Sequence, residues 1–252
     1  MLHGFTQTVS SLAPLSTLLA MSRTVVAVDL PGHGASSSVS ADLDEAAGLV
    51  IEAAGDSPFD LVGYSLGGRI ALHVAASAPT GLRATVAISA SPGLPDVEAR
   101  ASRLARDVAM ADALEADGDV GAFIARWLAN PMFATLPAAR ADATGRLANT
   151  AAGLADSLRR CSLGSQRWLV PELVTLPTPL LMIAGARDDP FLSLACAVAA
   201  ASSAVGAAAV PGAGHACHLE QPGTVARLID GFFSSTGSRR DPQSDSEQES
   251  GD

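Results

Sequence analysis

The sequence contains no lysine: its sixteen basic residues are all arginine, set against 26 acidic ones, for a formal net charge of −10 over 252 residues. Negative charge of this size repels phosphate backbones and anionic lipid, which excludes a general nucleic-acid or membrane-surface binder. Cysteines are few, Cys161, Cys196 and Cys217, and none forms a C-x-x-C pair. They are too scattered for a disulfide framework and read as small core side chains of a reducing compartment. The five histidines show no H-E-x-x-H or related spacing, so no metal site is expected. No basic segment opens the chain, and Ser10, Ser11, Pro14, Ser16 and Thr17 interrupt its early apolar residues, which argues against a signal peptide. The stretch Phe191 to Val210 is mostly Ala, Ser and Gly and is too weakly hydrophobic to span a bilayer. A cytoplasmic protein is expected. With 48% hydrophobic and 17% charged residues, most of the chain has the balance of a folded globular domain.

Short β-branched runs alternate with Ala/Leu-rich helical stretches, an order that predicts an α/β fold with a mostly parallel sheet and helices on both faces. Strands are expected at Thr24 to Val28, Phe59 to Val62, Ala84 to Ile88, Leu180 to Ala184 and Ala207 to Val210. Helices are expected at Asp44 to Ala54, Gly67 to Ser77 and Leu194 to Ala201. Between Pro92 and Pro171 the pattern turns helical without a convincing strand, and nine of the sixteen arginines fall there. The reading is a core of residues 1–91 and 172–233, a helical cap of 92–171, and a disordered acidic tail of 234–252, which is rich in Ser, Gly and Gln.

Gly63-Tyr64-Ser65-Leu66-Gly67 fits G-x-S-x-G and lies after an apolar strand and before a helix, the context in which that motif presents a serine on a sharp turn. Small flanking residues prevent clashes at the turn, and Gly68 allows the helix to approach the sheet. A nucleophilic serine requires a base, and the base requires an acid to fix its tautomer. In the chain order Ser, acid, His, the candidates are Ser65, Asp188 and His215, with Asp189 the competing acid and His218 the competing base. His33, in a Gly/Pro turn, reads as a structural hydrogen-bonder, and His73 as helix packing.

Leu2-His3-Gly4-Phe5-Thr6, Asp29-Leu30-Pro31-Gly32-His33-Gly34, Gly63 to Arg69, Ser91-Pro92-Gly93-Leu94, and Gly214-His215 with His218-Leu219-Glu220-Gln221-Pro222 resemble the α/β-hydrolases. Within that superfamily they resemble the 2-succinyl-6-hydroxy-2,4-cyclohexadiene-1-carboxylate synthases. The resemblance implies an α/β-hydrolase fold and an oxyanion hole formed by the Phe5 and Leu66 amides. It also implies cofactor-free elimination of pyruvate from a small polyanionic carboxylate substrate, as a step of menaquinone biosynthesis. By residue-wise match Tyr64, Arg69, Arg103, Trp127 and Arg146 would contact that substrate. Arg69 lies in the first turn of a helix, where the dipole disfavours a cation by up to about 1 kcal/mol. Either a substrate carboxylate or a nearby Asp or Glu is expected to compensate it. Trp127 is a pocket wall or plain cap core.

Two departures stand out. Asp189-Pro190-Phe191 places proline where these synthases often carry a basic residue. The resemblance also implies a central strand directly before the His3-Gly4 loop, and usually two earlier ones, whereas only Met1 and Leu2 precede His3. The expectation is a sheet lacking its N-terminal strands, with a natural start upstream of Met1 or a fragment. The same triad would also serve a serine hydrolase acting on a small ester, lactone or thioester through an acyl-enzyme. A non-catalytic ligand-binding protein of the same fold is the third possibility.

Overall fold

The computed structural model describes residues 1–237. In chain order the elements are α1 (Ala13–Leu19), α2 (Leu43–Ala54), β1 (Phe59–Tyr64), α3 (Leu66–Ser77), β2 (Leu82–Ile88), α4 (Val97–Asp117), α5 (Val120–Leu128), α6 (Ala143–Arg146), α7 (Ala151–Arg160), α8 (Val170–Leu173), β3 (Leu180–Gly185), α9 (Asp189–Ala200), β4 (Val205–Val210), α10 (Cys217–Glu220) and α11 (Pro222–Gly237). The residues expected as an acidic tail continue α11 as far as Gly237, and the others lie outside the described residues. None of the described helices is long and apolar enough to cross a membrane.

The four strands form one parallel sheet in the order β1-β2-β3-β4. Alternation along the strands splits the core. Leu180 and Met182 face one side with Ile70 and Val74 of α3 and Val198 of α9, while Leu181 and Ile183 face the other with Leu15 of α1 and Ile229 of α11. Helices thus cover both faces, as a parallel sheet requires. Helix α2 starts at a reciprocal cap: Asp42 Oδ1 accepts from the amides of Asp44 and Glu45, and Glu45 Oε2 accepts from the Asp42 amide. Helices α4 to α7 follow β2 and contain no strand.

The expected strand over Thr24 to Val28 does not form. Val28 makes a single parallel bridge with Leu2, and Leu2 bridges Gly63 of β1 on its other side. A strand needs a partner ladder, and Met1 and Leu2 supply only two residues of one, so Val26 is left 66% exposed despite its β-branched run. The sheet therefore continues beyond β1 through one residue, Leu2, whose amide donates to Val62 O at 2.9 Å and whose carbonyl accepts from the Tyr64 amide at 3.0 Å.

Candidate active site

At the end of β1 the chain turns sharply into α3, and Ser65 sits on that turn at φ 51°, ψ −107°. Such a conformation costs a non-glycine residue about 1–3 kcal/mol and persists only where its surroundings enforce it. They do so through close approach. A Cβ on Gly67 would lie 2.5 Å from Leu2 O, and one on Gly68 would lie 2.7 Å from Ala90 Cβ.

The structure brings Ser65, His215 and Asp188 together from three separate loops. His215 Nδ1 donates to Asp188 Oδ2 at 2.8 Å, and its Nε2 lies 3.4 Å from Ser65 Oγ. The imidazole is buried between the rings of Phe191, at 4.6 Å, and Tyr64, at 5.6 Å. The competitors stand elsewhere. Asp189 is exposed, and His218 lies under the Tyr64 ring, 3.8 Å between centroids, with Nε2 facing Gln7. Burial lowers its pKa to about 3. Glu220 was not singled out from the sequence by role. Its Oε2 accepts from the Gly214 amide at 3.0 Å and so holds the loop that carries His215.

Phe5 and Leu66 line the cavity in front of Ser65. Among the described residues neither of their amides donates an intramolecular hydrogen bond, which leaves two backbone donors available there. The loop carrying Phe5 is fixed from several directions. Gly4 N donates to Gln7 Oε1 at 2.9 Å, Thr6 N donates to His33 Nε2 at 3.2 Å, and Thr6 O accepts from Asn149 Nδ2 at 2.7 Å. Thr6 is held at φ 65°, in the left-handed region. His3 works in the same way as His33: its Nε2 accepts from the Leu30 amide at 3.0 Å while its Nδ1 donates to Gly4 O at 2.8 Å.

Both histidines accept a backbone N–H at Nε2, so each must be neutral for the loop to hold. Burial lowers the pKa of His33 from 6.5 to about 4, against the opposing pull of Asp29 and the Pro31 carbonyl. Between those two values the unfolded chain binds a proton that the native state refuses, so stability falls as pH drops from 6.5 towards 4. His33→Gln, whose amide oxygen can still accept from Thr6, is expected to flatten that decline. Melting temperatures across the interval check this, and equal slopes for variant and parent would contradict it.

The cavity, about 290 Å³, is lined on its floor by Ser65, Leu66, Arg69 and His215, and above them by Arg103, Arg106, Met110 and Trp127 of α4 and α5. Among the described residues no carboxylate contacts Arg69 directly. Its NH1 donates to Gln166 Oε1 at 3.2 Å and its NH2 to Cys161 O at 2.7 Å, and burial lowers its pKa to about 10. Arg103 is half-buried, and its Nε donates to both oxygens of Asp107, at 2.9 and 3.0 Å. Trp127 is a wall of the cavity, edge-on to Phe5 at 5.0 Å, and its buried Nε1–H has no partner among the described residues.

Two expected substrate contacts stand outside the cavity wall. Arg146 is 1% exposed and lies beneath the loop that carries Phe5. Its Nε donates to Ala141 O at 2.8 Å, and its NH1 reaches Thr6 Oγ1 and Phe5 O. The reason is the short helix α6, pinned at its start because Asp142 accepts from Ser10 Oγ at 2.7 Å and Ser11 Oγ at 2.6 Å. Arg146 is therefore placed as a brace of the loop rather than as a pocket residue. The Tyr64 ring fills the space behind Gly4, where a Cβ on the glycine would lie 2.6 Å from it, and it too is absent from the cavity lining. Of the cysteines, Cys161 and Cys217 are buried as expected, whereas Cys196, on the outer side of α9, is exposed.

A parallel sheet bearing a serine on a strained strand-to-helix turn, with His and Asp delivered by later loops, defines a class. The alpha/beta hydrolase family model matches residues 1–228, and the chain belongs to that family. Within it, the chain is 36% identical over 219 residues, 84% of each chain, to the 2-succinyl-6-hydroxy-2,4-cyclohexadiene-1-carboxylate synthase of Serratia proteamaculans. It is 33% identical to the enzyme of the same name from Photorhabdus laumondii, over 92% of this chain and 84% of that one. The structure of MenH from S. aureus superposes with a TM-score of 0.86 at 26% identity, covering 94% of this chain and 92% of that one.

Proposed function

We propose that the protein is a cofactor-independent carbon–oxygen lyase that eliminates pyruvate from 2-succinyl-5-enolpyruvyl-6-hydroxy-3-cyclohexene-1-carboxylate. The product is 2-succinyl-6-hydroxy-2,4-cyclohexadiene-1-carboxylate, and the step belongs to menaquinone biosynthesis. One observation carries the reading beyond the relatives' names: Arg69 and Arg103 line the same cavity as Ser65 and His215, so a polycarboxylate is held where the base acts.

Asp188 accepts from His215 Nδ1–H, which leaves the lone pair of Nε2 facing Ser65. Nε2 takes the serine proton as the serine oxygen takes a ring proton. The C–H electron pair moves into the adjacent succinyl ketone, placing an enolate oxygen at the Phe5 and Leu66 amides. Collapse of the enolate forms a double bond at the deprotonated ring carbon, shifts the existing ring double bond one position along, and breaks the C–O bond to the enolpyruvyl group, which departs as the pyruvate enolate and is protonated by the imidazolium. A positioned base contributes about 10²–10⁴ in rate and each oxyanion donor about 10²–10³, with orientation by the guanidinium groups adding to both.

Pyruvate release from the succinyl-enolpyruvyl substrate tests the proposal. Arg69→Ala is expected to lower kcat/KM by about 10- to 100-fold, the range for losing a charge-assisted hydrogen bond to substrate. Slow pyruvate release with fast cleavage of simple esters, both indifferent to Arg69→Ala, would instead favour an acyl-enzyme hydrolase.

A further inference from the structure

Helix α4 turns one face to the cavity, and Arg103, Arg106, Asp107 and Met110 line it at the spacing of successive helical turns. The neighbouring charges are already engaged. Asp107 is buried, accepts from Arg103, and also accepts from Ser162 Oγ at 2.7 Å. Arg69, on the floor, spends donors on Gln166 and Cys161. Other cap arginines, Arg126, Arg159, Arg160 and Arg167, are ion-paired to carboxylates away from the cavity. Arg106 differs from all of these. It lines the cavity, is exposed, and makes no hydrogen bond or ion pair among the described residues.

A guanidinium presents its N–H donors in a fork that matches a carboxylate. Ordinary surface arginines also go unpaired, but this one shares a cavity with two further guanidinium groups in a chain of net charge −10, where acids are plentiful. We infer that Arg106 is a specificity-determining residue that binds the terminal carboxylate of an acyl chain projecting from the ring towards the cavity mouth. In the substrate proposed above, on which the identity of that chain rests, it is the succinyl carboxylate. Ser65 and His215 act at the floor while Arg106 selects at the exposed rim, so its effect falls on binding rather than on the chemical step.

The test uses 4-oxo-4-phenylbutanoate, which carries a succinyl chain on a planar ring, against butyrophenone, its counterpart without the carboxylate. Dissociation constants are measured by calorimetry on the intact protein, on Arg106→Gln, and on Arg126→Gln as a control for net charge outside the cavity. The expected result is a preference for the acid that Arg106→Gln reduces about 5- to 10-fold and Arg126→Gln leaves unchanged. No preference in the parent protein, or an equal loss in both variants, overturns the assignment, as does an undiminished preference in Arg106→Gln. Pyruvate release decides the lyase reading separately. A hydrolase would still show the Arg106 preference, and a lyase lacking it would still release pyruvate.

Discussion

Ser65→Ala is expected to abolish pyruvate release by about 10³-fold or more while leaving the melting temperature essentially unchanged. In the proposed mechanism the hydroxyl stands between the ring proton and His215, and among the described residues its one side-chain hydrogen bond is the 3.4 Å contact to Nε2. A bond that long adds little to stability. Alanine keeps a Cβ at φ 51°, so the turn is no more strained than before. What remains after substitution is the oxyanion hole and the binding groups, which alone retain some acceleration over solution. Equal release from the variant would remove Ser65 from the mechanism and leave His215 as the direct base. Single-turnover measurement of pyruvate distinguishes these outcomes, because it isolates chemistry from product release.

Gly63→Ala is expected to do the reverse, removing stability first and activity as a consequence. A Cβ at Gly63 would fall on the carbonyl of Gly67 and 2.7 Å from the Gly68 amide, all of them backbone atoms of the first turn of α3. Overpacking against flexible side chains costs about 1–3 kcal/mol. Here no side chain can yield, and Gly63 is held on both sides, paired with Ala87 of β2 and bridged to Leu2. A loss of more than about 3 kcal/mol is expected, read from denaturant midpoints. A midpoint matching that of the parent would mean that the elbow can open by an ångström without harm.

What could be read from residues alone follows a physical division. The strands at Phe59, Leu82, Leu180 and Val205 are apolar runs bounded by turn residues, and each has a full-length neighbour, so local pattern and tertiary pairing agree. The run at Thr24 to Val28 has the same local pattern and lacks the neighbour, and pattern alone does not contain that information. Ser65, Asp188 and His215 were legible because each follows a strand end in a fixed order. The burial of Arg146 under the Phe5 loop is not legible in the residues, because an arginine's burial depends on the packing of a distant segment, here the serines of residues 10 and 11 on Asp142. Arg106 could not be told from its neighbours by sequence. Its place on the cavity wall, together with the pairing of Arg103, Arg126, Arg159, Arg160 and Arg167 with nearby acids, is what separates it.

Leu2 is tied into the sheet between Val28 and Gly63, and Phe5, whose amide is a proposed oxyanion donor, follows three residues later. Local opening in proteins concentrates where few contacts hold a segment. Fraying at this seam would pull on the Phe5 loop while the four main strands stay zipped, and the bonds to Gln7, His33 and Asn149 around that loop are what resist it. Loss of activity on warming ahead of global melting is therefore the expected sign that the seam and these loop bonds, rather than the sheet, yield first.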